Sequence, residues 1–312
     1  MKKSITLSLL GFIILMMFSM LSPSIIFAQE AQDSVKISQS EIDEYNTLKK
    51  ASKQAAVTEV TEQDGTGNDP RAFANKWTPN YRYTELDNGL KIQDINLSGT
   101  IAFTRNLGVI YELPAAKLMD LSGVEGWPDS LPSSAIGMGD VSLKFLANLR
   151  SLDFFYGEGK KKSGTFVVGT DFVLPTATNK TLAGNSFKIA PIVGVVVDMP
   201  AYGFFAFLNL YYFDVFKSEA APKTSLYVGR WFYMQPLTPP GKWWGGFFLM
   251  PEFQPVYDFE SEEFSFWIGV ELGKIISEGN VAYVKPGWGI DNNNPEMTDR
   301  SFSFEAGWRY FF

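Results

Sequence analysis

The feature that most constrains this chain is a rhythm of two: from Trp77 to the last residue, Phe312, apolar and polar side chains alternate segment after segment. Ile95, Leu97, Gly99, Ile101 and Phe103 alternate with Asp94, Asn96, Ser98 and Thr100, and after a turn at Thr104-Arg105-Asn106 the row resumes with Leu107, Val109, Tyr111 and Leu113. Val141, Leu143, Phe145 and Ala147 stand opposite Asp140, Ser142, Lys144 and Asn148. Phe166, Val168, Phe172 and Leu174 stand opposite Asp171, and Phe187, Ile189, Val193, Val195 and Val197 opposite Lys188. Phe247, Leu249, Phe253 and Tyr257 face away from Glu252 and Gln254. Phe264, Phe266, Ile268, Val270 and Leu272 face away from Glu271, and Phe302, Phe304, Ala306, Trp308, Tyr310 and Phe312 away from Glu305 and Arg309. Successive side chains of a β-strand point to opposite faces, so this period predicts strands with one greasy and one wet face.

Weaker segments near 77–86, 204–215, 224–234 and 281–290 bring the expected total to about twelve strands, within a range of 10 to 14. The predicted fold class is all-β: a single antiparallel transmembrane β-barrel over residues 75–312, with lipid outside and a polar lumen inside. If the first strand runs outward, the outer loops fall near 87–91, 119–136, 177–185, 216–223, 258–262 and 291–300. Short inner turns fall at 104–106, 199–203 and 276–280. Long outer loops and short periplasmic turns are the expected asymmetry of such barrels. Two features fit less well. Arg150 to Ser163, with Lys160-Lys161-Lys162, reads as a long periplasmic connection, and Pro191 interrupts a strand, where a bulge would have to absorb the lost hydrogen bond.

A soluble sandwich also alternates. The aromatic content separates the two: 27 Phe, 13 Tyr and 8 Trp, with Trp and Tyr gathered toward segment ends at Trp77, Tyr81, Trp231, Tyr233, Trp243, Trp244, Trp308 and Tyr310, as in interfacial girdles. The final strand, with Trp308, Tyr310 and a terminal Phe312, looks like the signal read by the barrel-assembly machinery.

The N-terminal quarter differs. Lys2 and Lys3, an apolar run from Ile5 to Leu21, Pro23 and Ala28 predict a secretory signal over residues 1–28 and export through the Sec route, with an uncleaved anchor as the alternative. Residues 29–74 are polar and poor in aromatics. Ser40 and Asp43 resemble a capping box, and Ile42, Tyr45, Leu48 and Ala55 have helical spacing, which predicts a short helix over about 41–56 followed by a linker through Asp64-Gly65-Thr66-Gly67-Asn68. A solvated periplasmic tail is the favoured reading of this segment; a plug or partner-docking helix is the other.

From about Asn75 to Phe312 the chain resembles the meta-pathway phenol-degradation-like barrels, a family of outer-membrane β-barrel transporters some of whose members carry the label "neuromedin U". The likeness rests on Gly137-Met138-Gly139-Asp140-Val141, on Phe172-Val173-Leu174-Pro175-Thr176-Ala177-Thr178, on Tyr257-Asp258-Phe259-Glu260, and on Gly269 and Gly273-Lys274, in order along the chain. The polar segment before the barrel is also similar to the family. The resemblance implies an outer-membrane channel for small organic compounds and brings no catalytic residues. Pro191 and the lysines at 160–162 depart from it.

The chain has no histidine and no cysteine, which removes the commonest general base and metal ligand, any disulfide and any lipoprotein anchor. A formal charge of −7, which becomes −9 once Lys2 and Lys3 leave with the signal, argues against a nucleic-acid partner. No enzyme, cofactor or metal site is predicted. A Ser–Lys or paired-carboxylate site stays open, with ion pairing as the favoured role of any one carboxylate. The oxygen-rich Asp291–Glu296 stretch and the acidic Asp258–Glu263 loop read as polar outer loops rather than calcium sites. Strand parity nominates Asp140, Lys144, Asp171, Lys188, Glu252, Glu271, Glu305 and Arg309 as lumen-lining, and adds Val167, Val173, Ile192, Phe248 and Met250, so the path is mixed. Twelve strands lie between barrels filled by side chains and wide aqueous pores, which predicts a narrow, partly obstructed lumen. The expected function is passive passage of small molecules, hydrophobic or aromatic ones among them. The alternative is a closed barrel acting through its N-terminal helix or its outer loops, foremost 119–136 with Trp127, Pro128 and Pro132. The expected partners are outer-membrane lipid, the barrel-assembly machinery and a small-molecule solute.

Overall fold

Thirteen β-strands form one antiparallel sheet in the computed structural model, which describes residues 66–124, 132–155, 161–182, 186–199, 203–217, 223–239, 244–291 and 300–312. They are β1 (Lys76–Leu86), β2 (Lys91–Thr104), β3 (Leu107–Asp120), β4 (Ser134–Gly137), β5 (Val141–Phe155), β6 (Lys161–Leu174), β7 (Ser186–Asp198), β8 (Phe204–Lys217), β9 (Ser225–Pro236), β10 (Phe247–Asp258), β11 (Glu263–Ser277), β12 (Asn280–Asp291) and β13 (Arg300–Phe311). Each strand pairs with its sequence neighbour except around β4, which pairs only with β3 and leaves β3 to pair with β5. β1 pairs with β13, from Lys76↔Phe311 to Leu86↔Arg300, so a ring of twelve strands closes with no free edge. Closure matters because an unpaired strand edge in hydrocarbon leaves backbone polar groups unsatisfied.

The two-residue rhythm sorts the faces as expected. On β2 the outward Ile95, Ile101 and Phe103 are exposed while the inward Asn96 and Thr100 are buried. On β13 the outward Trp308, Tyr310 and Phe312 are exposed and Arg309 and Phe311 are buried. The exposed shell is apolar and aromatic. Trp77, Trp244, Trp308 and Tyr310 mark the end that carries the first and last strand termini; a row of paired residues, Tyr211, Tyr227 and Tyr257, lies toward the opposite end. Trp231 departs from the girdle expectation. It sits mid-wall beside Phe207 and Phe253, where its Nε1 donates to Asn209 Oδ1 at 3.2 Å, and Tyr227 donates to the same oxygen at 2.7 Å. An amide on the apolar face is thereby satisfied locally. Trp243 lies outside the described residues.

Four expectations need correction. The link from Arg150 to Ser163 is not a long loop, because β5 and β6 continue their ladder to Phe155↔Lys161 and the connection is confined to residues 156–160. Backbone pairing includes Lys161 and Lys162 whatever their polarity. Pro191 is not absorbed by a bulge. It holds the Thr170↔Pro191 register, and the irregularity of β7 lies at Phe187/Lys188. Residues 119–136 are not one loop: β3 runs to Asp120, and β4 returns as a short strand against it. Residues 66–68 are not a linker, since Thr66 is buried in the barrel. The helix expected over 41–56, the signal over 1–28, the calcium-like stretch of the 291–300 loop from Asn292 on, Trp127 and Pro128 lie outside the described residues. Among the described residues the one helical element is a 3-10 turn at Lys180–Leu182, and no α-helix occurs. The two-residue hairpin at Ser277↔Asn280 turns on Gly279 at φ +75°, a region that L side chains rarely enter.

Candidate functional site

The lumen has two unlike walls. From β5 to β10 the inward positions are largely apolar: Leu146, Val167, Ile192, Val196, Ala206, Leu208, Leu210, Phe232, Met234, Phe248 and Met250 belong to one buried cluster. From β11 round to β3 they are mostly polar, with Thr78, Asn80, Thr84, Asn96, Thr100, Glu271, Ser303 and Arg309 buried. Between the walls lies a cavity of about 460 Å³ that reaches from Asn68, Asp69 and Phe73 at the terminal end to Gln254 and Arg300 near the far end. Seven basic side chains line it (Lys76, Arg82, Lys144, Arg230, Lys285, Arg300 and Arg309) against five acidic ones (Asp69, Glu112, Glu252, Glu271 and Glu305).

Most of these charges are paired along the wall, between strands one or two apart. Glu252 is fully buried and accepts from Arg230 at 2.9 and 3.2 Å, from Lys285 at 2.6 Å and from Gln254. Arg309 holds Glu271 through two parallel bonds of 2.8 and 2.9 Å, the fork geometry that makes an Arg–carboxylate pair strong. Glu305 accepts from Tyr283 at 2.6 Å and from Arg82 at 3.2 Å, and Arg82 reaches on to Glu112 at 3.2 Å. Asp171 accepts from Ser142 at 2.6 Å and Tyr212 at 2.8 Å, with Lys144 at 3.5 Å. Buried carboxylates need such partners, because an isolated charge out of water is costly.

Residues 66–75 fold into the terminal end of the lumen. Asn68 donates to Glu271 Oε1 at 2.9 Å, Arg309 donates to the Thr66 carbonyl at 3.2 Å, and Lys76 donates to the Gly67 carbonyl. Arg71 bridges Asp69 and Asp198 at 2.7 and 2.6 Å, and its carbonyl accepts from Asn148 at 2.8 Å. Burial pulls the Arg71 guanidinium down, but the hydrogen bond and charge of Asp69, with Asp198 behind them, raise it above the ordinary arginine range. Phe73 and Ala74 join the apolar cluster, and Asn75 ties both neighbours by accepting from Ala102 N at 2.9 Å and Phe312 N at 3.1 Å. This part of the polar N-terminal segment packs inside the barrel end and does not trail from it as a tail.

Of the nominated residues, Lys144, Glu252, Glu271, Glu305 and Arg309 line the cavity, and Asp171 is buried beside Lys144. Lys188 sits on the inward face of β7, with Asp214 as its cross-strand neighbour. Asp140 lies at the far rim just before β5, where it accepts from Ala177 N at 3.1 Å and fastens the Thr176–Thr178 loop. Each of Glu252, Glu271 and Glu305 is held by a cation, as ion pairing requires and a free acid–base pair does not. Sequence reasoning missed Arg82, Glu112, Arg230, Lys285 and Arg300. Arg82, Glu112, Arg230 and Lys285 stand at inward positions by strand parity, so parity was the available signal, and Arg82, Arg230 and Lys285 fall in segments where it is weak. Arg300 has the parity of the outward Phe302 and Phe304; the register shift at Leu86↔Arg300 breaks that parity, and its side chain lines the cavity. Trp308, Tyr310 and Phe312 form an outward edge, with Phe312 packed edge-on against Trp77 at 5.7 Å and stacked on Tyr310 at 6.3 Å.

No family model and no curated relative matches the sequence. Among solved structures the chain is similar to the COG4313 outer membrane channel from Pseudomonas putida F1, at 14% identity and a TM-score of 0.54, over 77% of this chain and 96% of that one. It also overlays on the NanC porin (8% identity, TM-score 0.49, 77% and 100% covered) and the KdgM porin (12%, 0.37, 75% and 99%). The first likeness supports a common barrel fold.

Proposed function

We propose that this chain is an outer-membrane channel that lets small molecules pass down a narrow, two-sided lumen. The observation that carries the reading is the closed ring with an apolar, aromatic outer shell around a charged cavity of about 460 Å³. A closed antiparallel ring with that polarity is what the hydrocarbon of a bilayer selects. Outer-membrane lipid is then the partner of the shell, and the solute the partner of the cavity. The apolar wall suits solutes with hydrophobic or aromatic bodies. Export through a signal over residues 1–28 and kinship with the phenol-degradation-like family belong to the same reading. Purified, heat-modifiable barrel added to planar bilayers gives discrete conductance steps in KCl; a folded preparation that never conducts, and never speeds solute entry into liposomes, sinks it.

A second reading is favoured by one observation: residues 66–75 and the apolar cluster fill much of the interior. On that reading the barrel is closed and acts through its rim.

The aromatic edge at Trp308, Tyr310 and Phe312 is the proposed contact with the barrel-assembly machinery. Deleting Phe312 lowers the yield of folded barrel in outer membranes several-fold and leaves refolding of denatured protein in detergent near wild type. Equal losses in both assays would make the residue a plain packing element.

A further inference from the structure

Trp267 points inward from β11 and lies across a floor built for it. Gly269 and its cross-strand partner Gly287 face the indole so closely that a Cβ on either would fall 2.0 or 2.1 Å from ring carbons. Its Nε1 donates to Ser303 Oγ at 3.0 Å, which fixes the ring's rotation. Over the ring sit two cations, Arg300 at 5.1 Å and Lys285 at 5.3 Å from its centroid. The ring is 5% exposed, so it acts as the shelf on which the cations rest rather than as a surface for a solute.

The two cations differ. Lys285 is neutralised by Glu252 at 2.6 Å. Arg300 donates to Gln254 Oε1 at 2.8 Å, a neutral amide, and among the described residues that is its only polar partner. The neighbouring carboxylates are engaged elsewhere, Glu252 by Arg230 and Lys285 and Glu305 by Arg82 and Tyr283. A guanidinium carries five N–H donors in a planar fork that fits a carboxylate; among the described residues most of Arg300's donors have no partner and can bond an anion in the cavity it lines. The same cavity has Phe232, Ile192 and Leu208 on its other wall and an excess of basic over acidic lining, in a chain whose total charge is −7.

We propose that Arg300, held on the Trp267 shelf, is a binding subsite for small organic carboxylates with an apolar body, and that such anions are the solute class of this lumen. The inference rests on the channel reading for its role in transport, though not for the binding itself. The probe is potassium benzoate, with benzyl alcohol as its uncharged counterpart, each titrated calorimetrically into the folded full-length barrel in detergent. Benzoate binds about tenfold more tightly than benzyl alcohol, the worth of one charge-assisted hydrogen-bonded contact. Arg300→Gln removes that preference, bringing benzoate affinity down to that of benzyl alcohol in the same variant. Equal affinities for the two probes in the wild type, or a benzoate affinity unchanged in Arg300→Gln, overturn the proposal; if the variant does not fold, the wild-type comparison decides alone. KCl conductance of the same preparation separates the two levels. Conductance without benzoate preference removes the subsite and keeps the channel; benzoate preference without conductance keeps the subsite and removes the channel.

Discussion

A barrel that begins at Asn75, exported behind a leader, conducts several-fold more KCl current per channel than the full chain. Residues 66–74 stand inside the ring at its terminal end, where Asn68, Asp69, Pro70, Ala72 and Phe73 line the cavity. Taking them out leaves the wall intact, because β1 starts at Lys76 and its ladders to β2 and β13 do not depend on the segment. Asn75 is kept because it accepts from Ala102 and Phe312 at the seam. A ring of twelve strands has room for a passage once its obstruction is gone, whereas one of eight would be filled by its own side chains. Single-channel recording checks this. An unchanged conductance would mean that the narrow point lies elsewhere, at the Arg82, Glu112 and Glu305 level. Arg71→Ala in the full chain gives an intermediate and noisier current, since it frees the ties to Asp69 and Asp198 but leaves Phe73 in the apolar cluster.

Replacing Glu252 with Leu costs about 3 kcal/mol of stability, the low end for a buried pair that loses one partner, because Arg230 keeps some contact with the cavity. Glu252 is fully buried and is the common acceptor for Arg230, Lys285 and Gln254, so its loss strands two cations beside each other. Glu252→Gln retains an acceptor oxygen and loses less. Urea unfolding in lipid vesicles, followed by tryptophan fluorescence and by heat-modifiable migration, measures both. A Leu variant as stable as the wild type would show that lumen water already carries these charges.

Much of this was legible in the sequence, and the boundary has a physical cause. Strand parity told which way Asp171, Glu252, Glu271, Glu305 and Arg309 point, since a period of two fixes a face along one strand. It does not tell which side chain on the strands alongside will meet it. That Glu252 of β10 meets Arg230 of β9 and Lys285 of β12, or that Arg82 of β1 reaches both Glu112 of β3 and Glu305 of β13, depends on register and curvature that no single segment encodes. Ser163 and the lysines before it read as a loop because the polarity signal cannot distinguish a hairpin tip from a connection, while the backbone ladder continues regardless. Residues 66–74 read as part of a tail because few of them are apolar. They are held chiefly by side chains of the wall, a long-range fit with no local pattern.

The ties of that segment also impose an order in time. Thr66 is grasped by Arg309, and Asn75 by Phe312, so the earliest described residues are gripped by the latest. Other ties reach β2, β5 and β7 through Ala102, Asn148 and Asp198, so the segment is stitched along much of the circumference and only its last stitches wait for the thirteenth strand. Drawing the cylinder shut and locking its cork share that final step.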